Sequence, residues 1–215
     1  MENDYIPPFK SKLVRRLLEG QFAITAEITS PVSGFADDVL ARAKPLKNLV
    51  DAINVTGGPN SNVHLSSIAS SSILQANDIE PVTQFTCRNR NRIALLNDLL
   101  GASALGIHNL LIRNEDNPTK EDQPEAMPVF DLKSFELIEI AYQMTTKGII
   151  PSKSMKVTDQ GISANTKSLT TPTNFFIGIT DTPRAEFSEK WVQDIKKKQR
   201  AGARFVQTQL CYDIK

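Results

Sequence analysis

The sequence predicts an α/β fold, a (β/α)₈ TIM barrel of which about six βα units are present in 215 residues. Three observations lead there. Short apolar strands alternate with longer amphipathic helices, which implies right-handed crossovers and a parallel sheet. The polar residues at successive strand ends recur at intervals near thirty: Glu27, Thr56, Thr86 and Asp116 are separated by 29, 30 and 30 positions. Nearly every strand also turns polar toward its C-terminal end. An open doubly wound sheet satisfies the first observation alone. The third favours the barrel, whose functional groups ring the C-terminal ends of the strands, over a sheet buried on both faces, which stays rich in Val, Ile and Leu.

The elements follow in order. The first strand, "FAITAEIT" (22–29), alternates with period two and carries a lone carboxylate, Glu27, on the face of Thr29. "FADDVLARAKPLKNLV" (35–50) has helical spacing at Val39, Leu40, Ala43, Leu46 and Leu49, despite Pro45. Strand two is "DAINVT" (51–56), with Asn54 and Thr56 on one face. A helix over 63–77 and strand three, "EPVTQFTC" (80–87), come next, with Gln84 and Thr86 sharing a face. The helix over 92–106 stops at Gly106, and strand four is "HNLLIR" (108–113). The helix over 131–148 stops at Gly148 and precedes an insert rich in Ser, Thr, Asn and Lys (about 151–173). Strand five (174–180), a helix (186–202) and strand six (203–210) complete the pattern. Residues 1–21 read as an N-terminal helix and lead-in, and 22–215 as a partial-barrel catalytic domain. A full barrel runs to about 250 residues, so the expectation is a barrel cut short after its sixth strand.

Composition excludes several classes. A net charge of +1 gives no drive toward nucleic acid or an anionic membrane surface. No window approaches the roughly 18 apolar residues of a membrane span. The opening "MENDYIPPFKSK" lacks the basic-then-apolar layout of a signal peptide, so a cytoplasmic location is expected. Cys87 and Cys211, two and far apart, suit reduced thiols. His64 and His108 have no metal-ligand spacing, and no metal is expected. No Gly-rich phosphate loop of the P-loop or dinucleotide-binding type occurs. A homo-oligomer is left open.

The blocks "AEITSP", "DAINVTGGPNSNVHLSSIASSSILQ", "IEPVTQFTCRNRNRIALLNDLLGASALGIHNLL", "PVFDLKSFELI", "FFIGIT" and "AGARFVQTQLCYD" occur in order from residue 22 onward. Together they resemble the methylenetetrahydrofolate reductase family. The resemblance implies a (β/α)₈ barrel that binds FAD at the C-terminal strand ends. It implies reduction of 5,10-methylenetetrahydrofolate to 5-methyltetrahydrofolate with NADH or NADPH, a step that feeds methionine synthesis. It makes Glu27 the general acid that protonates the folate. It places Thr56, Gln84, Asp116, Val129 and Thr180 along the flavin, with Asp116 also beside the pterin, and Lys198 near the flavin phosphates. Gln209 would hydrogen-bond the pterin. The sequence departs from the pattern at "RNED", where Glu115 stands in place of a glycine usual before the aspartate, and Arg113 supplies the family's arginine with a one-residue shift.

The chemistry suits these residue types. A carboxyl in a partly dry barrel mouth favours its protonated form and can deliver a proton near neutral pH. A carboxylate such as Asp116 beside a flavin stabilises a cationic folate iminium. An amide such as Gln209 offers a donor and an acceptor to a pterin edge. Each residue also has a plainer reading: Glu27 as a solvent-facing edge residue, Asp116 as a turn cap, Thr56, Gln84 and Gln209 as satisfied inward polars, and Lys198 as part of the solvated run "KKKQR". The alternative function, from another class, is a non-catalytic barrel fragment or a flavin- or folate-binding subunit of a reductase complex.

Overall fold

The computed structural model describes residues 11–57, 62–113, 123–152, 154–158, 161–182 and 188–209. Helix α1 (Lys12–Leu18) leads into β1 (Thr25–Thr29), α2 (Ala36–Ala43), β2 (Ala52–Thr56), α3 (Ser67–Gln75), β3 (Pro81–Phe85), α4 (Arg92–Ala104) and β4 (Asn109–Ile112). Then come α5 (Ser134–Thr146), β5 (Ile149–Ile150), β6 (Met155–Thr158), β7 (Gly161–Ala164), β8 (Lys167–Ser168), β9 (Phe176–Asp181), α6 (Glu189–Ala201) and β10 (Phe205–Thr208).

Six strands form one parallel sheet in the order β1-β2-β3-β4-β9-β10. The spatial order follows the chain without reversal, whereas a doubly wound sheet has a switch point where the order turns back. The strands curl into a half-barrel, so the barrel-type reading of the sequence holds. Outward-facing Ile53 and Val55 pack with Val39 and Leu74 from α2 and α3. Outward-facing Phe85, Leu110, Ile112, Ile177 and Ile179 pack with Leu95, Leu99, Leu137 and Ile138 from α4 and α5. The inward face alternates with these positions. Near the N-terminal end of the strands, Ala52, Val82 and Leu111 form a small apolar layer closed by Leu13 of α1.

That floor is pinned by two carboxylates. Glu80 accepts hydrogen bonds from the Ser11 hydroxyl (2.6 Å), the N–H groups of Lys12 (2.5 Å) and Leu13 (3.0 Å), and the Asn109 amide (2.9 Å). It satisfies the orphan donors at the α1 N-terminus and complements the helix dipole. Asp51 accepts from the Ile24 N–H (2.9 Å) and pairs with Lys12 (3.0 Å) and Arg16 (3.3 Å). The Ile24 N–H, then the two cations, lower the Asp51 pKa to about 2 against the cost of burial. Within the apolar layer Phe205 stacks on Phe176 with centroids 5.1 Å apart. Between them Gly178 leaves the space, since a Cβ there would lie 2.2 Å from the Phe205 ring.

Three expectations are corrected. The first strand begins at Thr25, not Phe22: Phe22 and Ile24 are exposed, and the Ile24 N–H is taken by the Asp51 carboxylate rather than by a neighbouring strand, while the Ile24 carbonyl accepts from the Asp51 N–H. The second helix ends at Ala43, and Pro45 continues it only as a 3₁₀ turn over Lys44–Leu46, because proline cannot donate the α-helical bond. The polar insert, for which the sequence predicts no element, has regular structure of its own. It folds as an antiparallel hairpin, β6 with β7, framed by the short β5–β8 pair.

Candidate functional site

The register places the polar residues on the inner surface. Glu27 aligns with Asn54, and Thr29 with Thr56, across β1 and β2. Gln84 aligns with Leu111, and Thr180 with Gln207. Neighbouring residues in register share a face, so Glu27, Asn54, Thr56, Gln84 and Arg113 all belong to the concave side above the apolar layer.

Three of these side chains form a chain of hydrogen bonds. Arg113 Nη1 donates to Gln84 Oε1 at 3.1 Å, and Gln84 Nε2 donates to Glu27 Oε2 at 3.1 Å. Gln84 is buried at 5% exposure, and its carbonyl accepts from the Ser67 hydroxyl at 2.8 Å. Glu27 itself is exposed on the open inner face. The partly dry surroundings expected for it are not what the structure shows. With β1 at the sheet edge, nothing among the described residues covers it on that side.

Thr56 and Asn54 are buried at 4% and 2%, yet Thr56 Oγ1 and Asn54 Oδ1 have no hydrogen-bond partner among the described residues. The Nε of Arg113 is in the same position. Buried polar atoms are almost always paired, so three such atoms around one polar surface mark where a ligand would bond. Gln84 and Thr86 also line a cavity of about 780 Å³ that reaches His64 and Ser67.

A second cavity, of about 480 Å³, lies between the ends of β3 and β4 and helices α5 and α6. Arg113, Lys133, Lys197 and Lys198 line it, with Asp194 the carboxylate among the described lining residues. Lys198 is 5% exposed and pairs with Asp194 at 2.7 Å, so it is not part of a solvated face despite its place in "KKKQR". Lys197 Nζ lies 3.6 Å from the centre of the Phe135 ring, a cation–π contact. The cavity also meets the first residues of α5, where helix N–H groups favour an anion.

The other predicted residues are more dispersed. Val129 lies in the loop before α5, 44% exposed, with its N–H bonded to the Arg88 carbonyl at 2.7 Å. Thr180 is half-buried near the end of β9. Gln209 follows β10, exposed, with its N–H bonded to the Asp181 carbonyl at 2.8 Å. Asp116, Glu115 and Cys211 lie outside the described residues. Sequence reasoning gave no role to Lys133 and Lys197. Their signal is weak, because Lys133 is a single lysine before a helix and Lys197 one of three consecutive lysines, and only the fold brings them together. His64 Nδ1 and His108 Nδ1 bond the carbonyl oxygens of Ser30 and Asn174. No helix among the described residues is long and apolar enough to cross a membrane.

A curled parallel sheet with polar groups on its concave surface and a cationic cavity at the C-terminal strand ends is a barrel-type architecture, a class of fold that places its small-molecule sites at that end. The family model of methylenetetrahydrofolate reductase matches residues 12–154, about two thirds of the chain, and the chain belongs to that family. No curated protein sequence matches it. Its fold is similar to that of 2,3-dimethylmalate lyase, a PEP mutase/isocitrate lyase superfamily member, with a TM-score of 0.58 and 12% identity over 94% of this chain and 65% of that one. It is also similar to an uncharacterized protein from Clostridium thermocellum that binds two copies of 5-methyl-5,6,7,8-tetrahydrofolic acid, with a TM-score of 0.53 and 10% identity over 94% and 59%. The chain spans less than two thirds of either structure.

Proposed function

We propose that the chain takes part in FAD-dependent reduction of 5,10-methylenetetrahydrofolate to 5-methyltetrahydrofolate, with NADH or NADPH as the electron source. Family membership supports the reaction class, and the folate-binding structure of similar fold supports the ligand class. The observation that carries the reading is the cationic cavity beside the polar inner surface. Four basic side chains against one carboxylate fit the pyrophosphate of a dinucleotide cofactor. The unpartnered Thr56, Asn54 and Arg113 atoms fit the polar edge of a planar ring laid across the strand ends.

When bound, the flavin would accept hydride from the nicotinamide and pass it to the folate. Lys198 and Arg113 would hold the phosphates. Thr56 and Gln84 would line the ring, with Val129 and Thr180 at its periphery. Gln209 would orient the pterin, and Asp116 would stabilise positive charge on the folate. Glu27 would give its proton to a ring nitrogen of the methylene bridge. The Glu27 O–H bond breaks, an N–H bond forms, and the C–N bond that opens leaves the electrophilic iminium. Entry of flavin and folate would supply the cover that Glu27 lacks.

The exposed Glu27 on an open concave face favours a second reading, a subunit that binds flavin or folate without turning it over. Titration with FAD, followed by flavin fluorescence, tests the binding that both readings share. Saturable binding is expected, weakened about tenfold in Lys198→Met, the loss of one charge-assisted phosphate contact. Absence of saturable binding by the parent chain would overturn the flavin assignment.

A further inference from the structure

We propose that Arg113 and Gln84 are positioning residues that decide which oxygen of Glu27 holds its proton. The inference rests on the donor and acceptor chemistry of three side chains. A guanidinium only donates and does not lose its proton. Arg113 Nη1, 3.1 Å from the Gln84 amide, therefore fixes the amide oxygen on its own side. The amide cannot flip without setting N–H against N–H. Its NH₂ group must then point at Glu27 Oε2, also at 3.1 Å. The carbonyl oxygen of a carboxylic acid is a stronger acceptor than its hydroxyl oxygen, so an N–H aimed at Oε2 favours Oε2 as the acceptor and directs the acid proton to Oε1.

The surroundings keep this arrangement in place. Gln84 is 5% exposed, and its backbone is tied to α3 through the Ser67 hydroxyl. The groups that face Glu27 across the inner surface are Asn54 from β2, Gln84 from β3 and, through the amide, Arg113, which directly follows β4. Arg113 also lines the cationic cavity. One side chain thus joins the phosphate-holding region to the proton donor. Resting on the reductase reading, the consequence is that Oε1 is the atom that meets the folate nitrogen.

The test needs neither flavin nor folate. The ¹H–¹⁵N resonances of the Gln84 side-chain amide, assigned by their loss in Gln84→Met, are followed from about pH 3 to pH 8, a range that spans carboxyl titration. In the parent chain they are expected to move with a single titration as Glu27 gains its proton. The titration is expected to vanish in Glu27→Gln, a change at an exposed site. It is expected to be lost in Arg113→Met, where the amide is free to turn, and restored in Arg113→Lys, which returns a donor. A flat profile in the parent chain, or an unchanged one in Arg113→Met, would overturn the relay and leave the reductase reading untouched.

Discussion

The floor of the half-barrel depends on one carboxylate, and Glu80→Ala measures that dependence. Glu80 accepts four hydrogen bonds, two from the first N–H groups of α1 and two from the side chains of Ser11 and Asn109, themselves 4% and 1% exposed. Removing a charged acceptor at a helix N-terminus costs about 1–2 kcal/mol. Leaving two buried donors with weaker partners adds about 1 kcal/mol each, because Ser11 and Asn109 stay near each other at 3.1 Å and compensate in part. The expected loss is about 3–4 kcal/mol. Glu80→Gln keeps one accepting oxygen and should lose roughly 1 kcal/mol. Urea unfolding gives the totals. Hydrogen exchange of the α1 amides should show the helix opening before the sheet in Glu80→Ala. A loss under about 1 kcal/mol, or α1 amides that exchange as in the parent, would refute the view that Glu80 fastens α1 to the barrel floor.

Two predictions concern the same floor. The Asp51 pKa is lowered from 3.8 to about 2, so its stabilisation is fully present above about pH 4 and is lost as the pH falls toward 2. Because Lys12 and Arg16 are each 40% exposed, solvent screening holds this to about 1 kcal/mol. Asp51→Asn should flatten stability against pH in that window by that amount. Gly178→Ala places a methyl against the Phe205 ring and should cost about 1–3 kcal/mol in thermal or urea unfolding, with part recovered in Gly178→Ala/Phe205→Leu.

The sheet was legible in the sequence because its strands are short apolar runs, most of them rich in β-branched or aromatic residues, separated by helical segments. The inner face was legible because Glu27, Asn54, Thr56 and Gln84 keep the parity that the register later assigns them. What the sequence hid depends on distance along the chain. Glu80 reads as a polar residue at a strand start, and its partner Ser11 lies 69 positions away. The cationic cavity draws Arg113, Lys133 and Lys198 from a strand end and two helices. Within its own segment each reads as surface charge. Lys198 in particular sits in a run of four basic residues and one glutamine, yet it is the one that α6 turns inward. The β6–β7 hairpin was missed because its two strands are only four residues each and sit in a segment dominated by Ser, Thr, Asn and Lys, too short for their alternation to stand out. The exposure of Glu27 follows from β1 being a sheet edge, which depends on the whole strand order.

The central claim is that Glu27 is the proton donor of a flavin-linked folate reduction. It is tested most directly by reducing the FAD-loaded chain with NADH or NADPH and following flavin reoxidation by 5,10-methylenetetrahydrofolate in the parent and in Glu27→Gln. The account predicts that the parent reoxidises and that Glu27→Gln does so at least a hundredfold more slowly, the loss of a general acid, while its reduction by the nicotinamide proceeds. Reoxidation of Glu27→Gln at near the parent rate, or none in the parent itself, would contradict it.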